Sequence, residues 1–335
     1  MKVLIYGAGA LGRGFLAPHL AAEGHEIHLV DVQRDLIERL RAERRYRVGM
    51  VDPRRGRFEI VQVHVHDAFM LDEEDPAQYP VVFTAVGVDN APLLYHRLAE
   101  AREVVLCEND WDLARQLRVM TGNVHIHFGV PDVIASGTAP PDLRAQGVEM
   151  MSEWGELSIE ACEGLGIGGQ VDRRTIRQRW LRKFFLHNAP HAVAAYLGAK
   201  SGCSFIHEVM SSPLGADVHK VMDEIVRAVV ELGLIPEEDA RAYAERELQR
   251  FGCRLLHDPI SRVAREPLRK LGREERLIRT TRLVLIVGGR IDILCRAIAA
   301  AIAMTDAPPE QVLYWVCQLA PHDPIYWRVQ KELRQ

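Results

Sequence analysis

Residues 2–12 read Lys-Val-Leu-Ile-Tyr-Gly-Ala-Gly-Ala-Leu-Gly, and this stretch decides the fold expected for the first half of the chain. Its apolar start, Lys2–Tyr6, predicts a strand that runs straight into a Gly-x-Gly-x-x-Gly pattern. Residues 11–23 predict a helix and Glu26–Val30 a second strand. A glycine pattern between a strand and a helix is the fingerprint of a dinucleotide-binding α/β domain with a parallel sheet.

Each glycine of the pattern has a separate expected use. Gly7 permits the tight turn, Gly9 lets a pyrophosphate approach the backbone, and Gly12 lets the helix pack close to the strand. The first residues of the helix, Ala10 and Leu11, would offer unpaired N–H groups and the positive end of the helix dipole to the phosphates. These five residues are predicted to bind the cofactor.

Asp31 is predicted to select the cofactor. It follows Gly12 by nineteen residues and ends the second strand, where a carboxylate accepts a hydrogen bond from the ribose 2′-hydroxyl. A 2′-phosphate would be repelled there, so the sequence predicts NAD rather than NADP. Arg34 follows closely and would soften this preference.

Two later strands are expected to end at the cofactor and substrate. Pro80–Gly87 reads as a buried parallel strand whose end, with Val86 and Gly87, should lie over the cofactor. Val104–Glu108 reads as the next strand, and Asn109 just beyond it is a candidate substrate donor. An alternative role for Asn109 is to cap the helix that follows.

Composition excludes several classes of function. With 335 residues, 48% of them hydrophobic and a net charge of −4, the chain suits a two-domain soluble protein and not a nucleic-acid-binding one. The most apolar window, residues 283–304, is interrupted by charged side chains, so no membrane span is expected. The six scattered cysteines predict free thiols, a cytoplasmic location and no structural zinc.

Two histidine pairs are candidate metal ligands. His64 and His66 share one predicted strand face, as do His125 and His127. Because no carboxylate or cysteine partner is fixed by spacing, these are interpreted as ordinary strand histidines, and no metal site is predicted.

The domain boundary is predicted in the glycine-rich residues 164–169. Residues 1–166 would form the dinucleotide-binding domain, with Leu157–Ala161 as its last strand, and residues 167–335 an all-α domain. The expected helices lie near residues 173–200, 204–211, 215–232, 237–251, 258–270, 283–304 and 309–319.

Residues 180–198 hold the candidate catalytic side chains. Lys183, Asn188 and His191 are spaced five and three apart, so on a helix Asn188 and His191 share a face, and Lys183 reaches in from an earlier turn. Pro190 should bend the helix or begin a new one. The alternative is an ordinary amphipathic helix.

Several stretches together resemble the polyol-specific long-chain dehydrogenases, the mannitol dehydrogenase family. The resemblance follows the chain in order and rests on residues 7–15, 84–87, 107–109, 183–198 and 262–271. It implies a Rossmann domain followed by a helical domain, no metal, and interconversion of a sugar alcohol and a ketose with a nicotinamide cofactor.

The family's Lys-x4-Asn-x2-His motif matches Lys183, Asn188 and His191. The resemblance implies that Lys183 is the general acid/base, that Asn188 and Asn109 hold the developing alkoxide, and that His191 orients the substrate. The family's Arg-x7-Lys substrate pair matches Arg262 and Lys270.

Arg265 and Arg269 resemble the branch of the family that uses phosphorylated substrates such as mannitol-1-phosphate and fructose-6-phosphate. If the segment is helical, the two arginines share a face and would bind a phosphate. The alternative is that they pair with nearby glutamates. The chain also departs from the family around Ser136, where a Val-Asp-Arg motif is expected, and this leaves the identity of the polyol open.

Three rival interpretations remain. A reductase of a free polyol, a sugar acid or a ketopantoate-like substrate would share the layout. Tyr196 and Lys200 have the Tyr-x3-Lys spacing of short-chain dehydrogenases, which we interpret as coincidence. A regulatory protein that binds NAD without turnover would have no use for Lys183. We expect a monomer, with a dimer as the alternative.

Overall fold

The computed structural model describes residues 1–334, which fall into two compact units. Unit 1 comprises Met1–Trp180 together with Leu255–His257, and unit 2 comprises Leu181–Arg254 together with the chain from Asp258 onward. This division lies beyond the boundary predicted after residue 166. The chain crosses it within one helix, Arg173–Lys183, and not in the glycine-rich segment.

The strands of the described residues all lie in unit 1. They are β1 (Lys2–Tyr6), β2 (Glu26–Asp31), β3 (Arg45–Asp52), β4 (Arg57–His64), β5 (Asp67–Met70), β6 (Val81–Thr84), β7 (Val104–Leu106), β8 (Ile126–Asp132), β9 (Val148–Glu153), β10 (Glu156–Glu160) and β11 (Gln170–Val171).

Unit 1 is built on an eight-stranded sheet in the order β11-β10-β8-β7-β6-β1-β2-β5 within residues 1–334. The strands from β8 to β5 are parallel, and β10 runs antiparallel to β8. A smaller sheet has the order β4-β3-β9, in which β3 and β4 form an antiparallel hairpin. The predicted parallel Rossmann sheet is confirmed, but the expectation that residues 157–161 form its last strand is wrong, because β11 follows.

The helices of unit 1 pack on these sheets. They are α1 (Ala17–Ala22), α2 (Arg34–Glu43), α3 (Tyr95–Glu100), α4 (Leu113–Thr121) and α5 (Pro141–Arg144), with a π-helical turn over Gly12–Leu16 and 3₁₀ turns over Pro76–Gln78 and Ala91–Leu94. Helix α6 (Arg173–Lys183) begins in unit 1 and ends in unit 2. The middle strands read as continuous apolar runs because both of their faces are covered. Val3 and Ile5 of β1 lie in the buried core of this unit.

Unit 2 is helical over its described residues, as predicted. Its helices are α7 (Ala189–Lys200), α8 (Ile206–Met210), α9 (Pro213–Glu231), α10 (Glu237–Gly252), α11 (Ile260–Val263), α12 (Pro267–Lys270), α13 (Arg276–Ile286), α14 (Asp292–Ala303), α15 (Pro309–Gln311) and α16 (Pro324–Leu333), with π-helical turns over Phe184–Asn188 and Val312–Val316. A 3₁₀ turn over Arg254–Leu256 lies where the chain passes between the units.

Two predicted helices of unit 2 are each split in the structure. The helix expected over 258–270 is α11 and α12, separated at Glu266, whose φ of 55° is left-handed. The helix expected over 283–304 is parts of α13 and α14, separated at Gly288, whose φ is 69°. Helix α16 was not predicted. Among residues 1–334, no helix has the length and apolar character needed to cross a lipid bilayer.

Candidate active site

The glycine-rich turn has the geometry that its sequence predicts. Gly7 has a φ of 95°, and a Cβ placed on it would lie 2.4 Å from the carbonyl oxygen of Ala85. A Cβ on Gly12 would lie 1.9 Å from the carbonyl oxygen of Gly7, so the helix touches the strand end there. At Gly9 no heavy atom lies within 4 Å of an added Cβ. The turn is therefore closed at Gly7 and Gly12 and open at Gly9, which fits the approach of a pyrophosphate.

This contrast predicts different effects for two alanine substitutions. We expect Gly12→Ala to cost at least about 3 kcal/mol of unfolding free energy, because its Cβ meets backbone that cannot move aside. Gly9→Ala should leave the melting temperature unchanged and weaken NADH binding at least about 10-fold, since its methyl group occupies only the open side of the turn. Thermal unfolding and fluorescence titration with NADH measure the two effects. Equal binding by wild type and Gly9→Ala would contradict the assignment of this turn.

Asp31 stabilises the glycine-rich turn by hydrogen bonds to backbone amides. Its Oδ2 accepts a hydrogen bond from the Ala8 amide at 2.8 Å, and its Oδ1 accepts one from the Gln33 amide at 3.0 Å. The helix begins at Ala10 and Leu11, whose amides face the turn as the first residues of a helix do. The carboxylate predicted to bind the ribose thus also fixes the backbone of the glycine pattern.

Glu108 is a functional candidate that the sequence interpretation missed. It is 5% exposed, and its two carboxylate oxygens accept hydrogen bonds from the amides of Val86 and Gly87, both at 2.9 Å. Burial raises the pKa of this carboxyl above its ordinary value, against the effect of these hydrogen bonds. Glu108 therefore holds the loop after β6 in the position where Val86 and Gly87 were predicted to meet the cofactor. The only sequence signal was an acidic residue directly before Asn109.

The carboxyl edge of the sheet also carries Asn109 and Asp132. Asn109 is half-buried just after β7, and α4 begins four residues later at Leu113 with Asp112 as its cap residue. The alternative role of Asn109 as a helix cap is therefore wrong. Asp132 ends β8 and is 6% exposed. It supplies a carboxylate at a strand tip, close in sequence to the place where the Val-Asp-Arg motif was expected.

Ser136 has a structural role within unit 1. Its side chain is fully buried, and its hydroxyl donates a hydrogen bond to the His257 carbonyl at 2.9 Å. Its amide also bonds to the Met151 carbonyl at 2.7 Å. Ser136, where the chain departs from the family pattern, thus anchors the short segment Leu255–His257.

In unit 2 the predicted catalytic trio lies on one continuous helical run with a wide turn inside it. Lys183 ends α6 and is half-buried, while Asn188 is 8% and His191 6% exposed. The turn between them, Phe184–Asn188, is π-helical. Pro190 has no N–H to donate and lies in the first turn of α7, which begins at Ala189 directly after the π-helical turn. Of the two predicted outcomes, a bend or the start of a new helix, the structure shows the second.

His191 is fixed by a buried carboxylate. Its Nε2 lies 2.7 Å from Oδ2 of Asp258, and Oδ1 of Asp258 accepts from Nη2 of Arg262 at 2.6 Å. Burial opposes ionisation of Asp258, but the charges of Arg262 and His191 outweigh it and hold the pKa of the carboxyl well below its usual range. Burial lowers the pKa of His191. Because Nε2 is the nitrogen that contacts Asp258, Nδ1 is the ring nitrogen on the other side. Arg262, a predicted substrate residue, is thus also a partner of Asp258.

A second buried carboxylate lies beside this trio in unit 2. Glu247 is fully buried, and its Oε2 lies 2.5 Å from Nδ1 of His187. Arg250, 4% exposed, reaches Oε1 at 2.5 Å and Oε2 at 2.7 Å. The rings of His187 and His191 lie 5.0 Å apart. The helical run that carries the trio is therefore tied to α10 by the contact between His187 and Glu247.

The basic segment, residues 262–271, has a different arrangement from the one predicted. Because Glu266 interrupts the helix, Arg265 and Arg269 do not share a helical face, and that argument for them is wrong. Arg265 is exposed, whereas Arg269 contacts Glu266 at 2.8 Å and Glu275 at 3.4 Å. The ion pairs of Arg269 agree with the alternative that these arginines bind nearby glutamates.

Lys270 is buried and faces backbone. It is 5% exposed, and its ammonium donates to the carbonyl of Val263 at 2.8 Å and to the carbonyl of Arg265. Burial, together with the charges of Arg276 and Arg269, lowers the pKa of Lys270 to about 7. The predicted substrate residue therefore fixes the loop that displays Arg265.

The two histidine pairs have different surroundings. The rings of His64 and His66 lie 4.7 Å apart, and Nδ1 of His66 accepts from the Ile27 amide at 3.1 Å. His125 and His127 instead both contact the carboxylate of Glu103. The sequence predicts no metal site because neither pair has a carboxylate partner fixed by spacing. In the structure the second pair does have one, Glu103.

Comparison with known proteins covers nearly the whole chain. Residues 1–122 match the family model described as mannitol dehydrogenase Rossmann domain, and residues 177–334 match the model described as mannitol dehydrogenase C-terminal domain. The mannitol-1-phosphate 5-dehydrogenase of Caldanaerobacter subterraneus subsp. tengcongensis is 30% identical over 345 residues, covering 90% of this chain and 86% of that protein. The mannitol-1-phosphate 5-dehydrogenase of Bacillus licheniformis is 30% identical over 345 residues, covering 93% and 90%.

Among solved structures, a Pseudomonas fluorescens mannitol 2-dehydrogenase, determined as a ternary complex with NAD and D-mannitol, has the same fold. Its TM-score is 0.77 with 14% sequence identity, covering 100% of this chain and 91% of that one. At this identity the likeness concerns the fold: a Rossmann domain followed by a helical domain.

Proposed function

This chain belongs to the mannitol dehydrogenase family, and we propose that it interconverts a sugar alcohol and the corresponding ketose with NAD. The observation that carries the proposal is the buried placement of Asn188 and His191 about one and two helical turns after Lys183, with His191 fixed by Asp258. A helix with only a structural role would not require a lysine at residue 183 and a histidine held in one orientation at residue 191. Formation of NADH from a panel of polyols and polyol phosphates tests the reaction.

Lys183 is proposed to move the proton. Oxidation of an alcohol carbon requires a base that takes the hydroxyl proton, and the reverse reaction requires the same group as an acid. A free lysine has a pKa of about 10.4, so it must be held nearer neutrality, which partial burial and neighbouring cations promote. Lys183 is half-buried and follows Arg182 in sequence.

The two asparagines and His191 are proposed to hold the substrate oxygen. The amides of Asn109 and Asn188 would donate hydrogen bonds to the developing alkoxide, which stabilises charge where it forms. His191 would position the hydroxyl, because Asp258 fixes the ring and leaves Nδ1 for the substrate. Arg262, held by Asp258, is proposed to contact a more distant hydroxyl.

The residues of unit 1 are proposed to bind the dinucleotide. When bound, NAD accepts the hydride from the alcohol carbon. The open side of the turn at Gly9 and the amides of Ala10 and Leu11 would receive its pyrophosphate, and Glu108 would keep Val86 and Gly87 against it. Proton transfer by a lysine needs no metal, so we propose a metal-independent reaction whose rate a chelator leaves unchanged.

We expect Asp31 to make NAD the preferred cofactor. Its carboxylate can accept from a 2′-hydroxyl and would repel a 2′-phosphate, while Arg34 is exposed at the start of α2 and 4.0 Å from Glu38. The value of kcat/KM should be at least about 10-fold higher with NAD than with NADP, which corresponds to about 1.4 kcal/mol. Equal or higher values with NADP would overturn this assignment.

The substrate is proposed to be phosphorylated. Two relatives at 30% identity are named mannitol-1-phosphate 5-dehydrogenases, and Arg265 is an exposed cation whose backbone Lys270 holds in place. Arg269 would exchange part of its contact with Glu266 for the phosphate, to which its planar guanidinium is suited. The proposed pair of reactants is mannitol-1-phosphate and fructose-6-phosphate.

We expect Arg265→Ala and Arg269→Ala each to raise the KM for fructose-6-phosphate at least about 10-fold, the loss expected from a charged hydrogen bond of about 1.5–3 kcal/mol. Arg273→Ala is the matched control, because Arg273 lies in the same segment and pairs only with exposed Glu274 among its described contacts. The phosphate assignment fails if free fructose or mannitol turns over as well as the phosphate, or if neither variant differs from the control.

The rival interpretations make distinct predictions. A regulatory protein would bind NADH but form none from any polyol, and a reductase of ketopantoate-like acids would reduce only those acids. Tyr196 is fully buried and Lys200 exposed at the end of α7, so the two do not act as a pair on one substrate. We further propose that the protein is a monomer. We also propose that it acts in the cytoplasm, a location that its six free thiols favour.

A further inference from the structure

Four metal-ligating side chains converge at one edge of the large sheet in unit 1. We call them the edge cluster: Glu103, His125, His127 and Cys162. One carboxylate oxygen of Glu103 lies 2.8 Å from Nε2 of His127 and 3.6 Å from Sγ of Cys162. The other lies 3.1 Å from Nδ1 of His125. One ligand atom each from Glu103, His127 and Cys162 fall within 4.8 Å of one another.

The sheet topology brings these residues together. Glu103 directly precedes β7, and His125 and His127 lie at the start of β8, which pairs with β7 in parallel. Because β10 runs antiparallel to β8, Cys162 just after β10 returns to the same edge. The amide of Cys162 is held by the side chain of Gln170 at 2.9 Å. Three separate chain segments therefore supply the cluster.

We propose that the edge cluster binds a zinc ion. Imidazole nitrogen, thiolate sulfur and carboxylate oxygen are the ligand types of protein zinc sites, and four of them suit tetrahedral coordination. Zinc bonds of about 2.0–2.3 Å place ligand atoms roughly 3.3–3.8 Å apart. The ligand atoms of Glu103, His127 and Cys162 lie within 4.8 Å of one another, so these three need to approach by only about 1 Å, and His125 would turn from its contact with Glu103 to become the fourth ligand. A sulfur and two nitrogens disfavour magnesium and calcium, which select oxygen.

The placement of the cluster assigns the zinc a structural role. Glu103 and His127 lie at the amino ends of β7 and β8, whereas Glu108 and Asn109 lie beyond the carboxyl end of β7. The metal is thus removed from the residues proposed to bind the cofactor, and it would tie β7, β8 and the segment after β10 together. On binding, Cys162 gives its thiol proton to solvent and coordinates as thiolate. A site of this kind stabilises the folded state without taking part in hydride transfer.

The test uses the full chain, stripped with a chelator and then dialysed. Calorimetric titration with Zn²⁺ should give one ion per chain, and Co²⁺ should give thiolate-to-cobalt charge-transfer absorption. Cys162→Ser should abolish that absorption and weaken zinc binding at least about 100-fold. Loss of a residue that only hydrogen-bonds to a ligand weakens metal binding by about 10–100-fold, so a larger loss is expected for a direct ligand. Cys203→Ser is the matched control, since Cys203 is also a half-buried free thiol but lies in unit 2.

Zinc should also raise the melting temperature of wild type and Cys203→Ser but not of Cys162→Ser or Glu103→Gln, while circular dichroism reports whether each variant is folded. The inference is overturned if stoichiometric Zn²⁺ does not bind, or if Cys162→Ser binds Zn²⁺ and Co²⁺ as wild type does. Turnover is measured separately and does not decide the question, because the cluster is independent of the proposed reaction.

Discussion

Lys183→Ala should lower kcat by about 10²–10⁴-fold, the range in which loss of a general acid/base falls. The residue ends α6 directly before the π-helical turn and is half-buried, and the neighbouring Asn188 and His191 have no basic amine with which to replace it. NADH binding should be unchanged, because the residues proposed to bind the dinucleotide all belong to unit 1. Steady-state kinetics with fructose-6-phosphate and a fluorescence titration with NADH measure the two quantities.

Lys200→Ala provides the control for this substitution. Lys200 is exposed at the end of α7, so the same change in charge and size should leave kcat within about twofold, as expected of a surface substitution. Lys183→Arg adds a second check, because a guanidinium keeps the positive charge but cannot give up its proton. If Lys183→Arg restores activity that Lys183→Ala lacks, Lys183 acts through its charge and is not the base.

Glu247→Gln should destabilise the protein by about 3–5 kcal/mol, the cost of removing one partner of a buried ion pair. The substituted amide keeps the shape of the side chain but removes the negative charge that Arg250 and His187 contact. Because Glu247 is fully buried, solvent cannot replace that charge. Equilibrium unfolding in urea gives the change in unfolding free energy.

Glu245→Gln is the matched control in the same helix. Glu245 is exposed on α10, so this substitution should change the unfolding free energy by less than about 0.5 kcal/mol. Similar stabilities for Glu247→Gln and the control would show that the buried network contributes little. A loss of activity without a loss of stability would instead assign Glu247 a direct part in the reaction.

Features set by neighbouring residues could be predicted from the sequence. The glycine turn follows from Gly7, Gly9 and Gly12, because a left-handed φ and a close backbone approach require glycine wherever they occur. The strands before and after it follow from their apolar runs. The helical second half and the placement of Lys183 on a helix were likewise available from periodicity and from the resemblance to the family.

Features set by distant residues could not be predicted. Glu108 lies 22 residues from Val86, and Asp258 lies 67 residues from His191. No local pattern reports such a pairing, because it depends on how strands and helices pack. The same reason explains the edge cluster: Glu103 and Cys162 are 59 residues apart, and only the antiparallel return of β10 brings them together.

The prediction of one continuous helix over residues 258–270 failed for a different reason. The sequence around Arg265 and Arg269 has helical spacing, but Pro267 favours the first turn of a helix over its interior. The chain therefore ends one helix at Val263 and starts another at Pro267, with Glu266 in a left-handed conformation between them. Pro267, which lies inside the predicted helix, therefore starts a second helix in the structure.

The π-helical turn over Phe184–Asn188 makes the relative orientation of Lys183 and His191 depend on a single residue. A π turn holds one residue more than the hydrogen-bonded α turn that would replace it. Deleting one residue there would let the run become a regular helix and rotate everything before it by about 100° relative to everything after it. Lys183, the proposed acid/base group, and His191 would then point in different directions, although every side chain of the trio would still be present. Gain or loss of one residue in this turn is therefore a minimal evolutionary step by which a chain of this family could switch its chemistry off or redirect it.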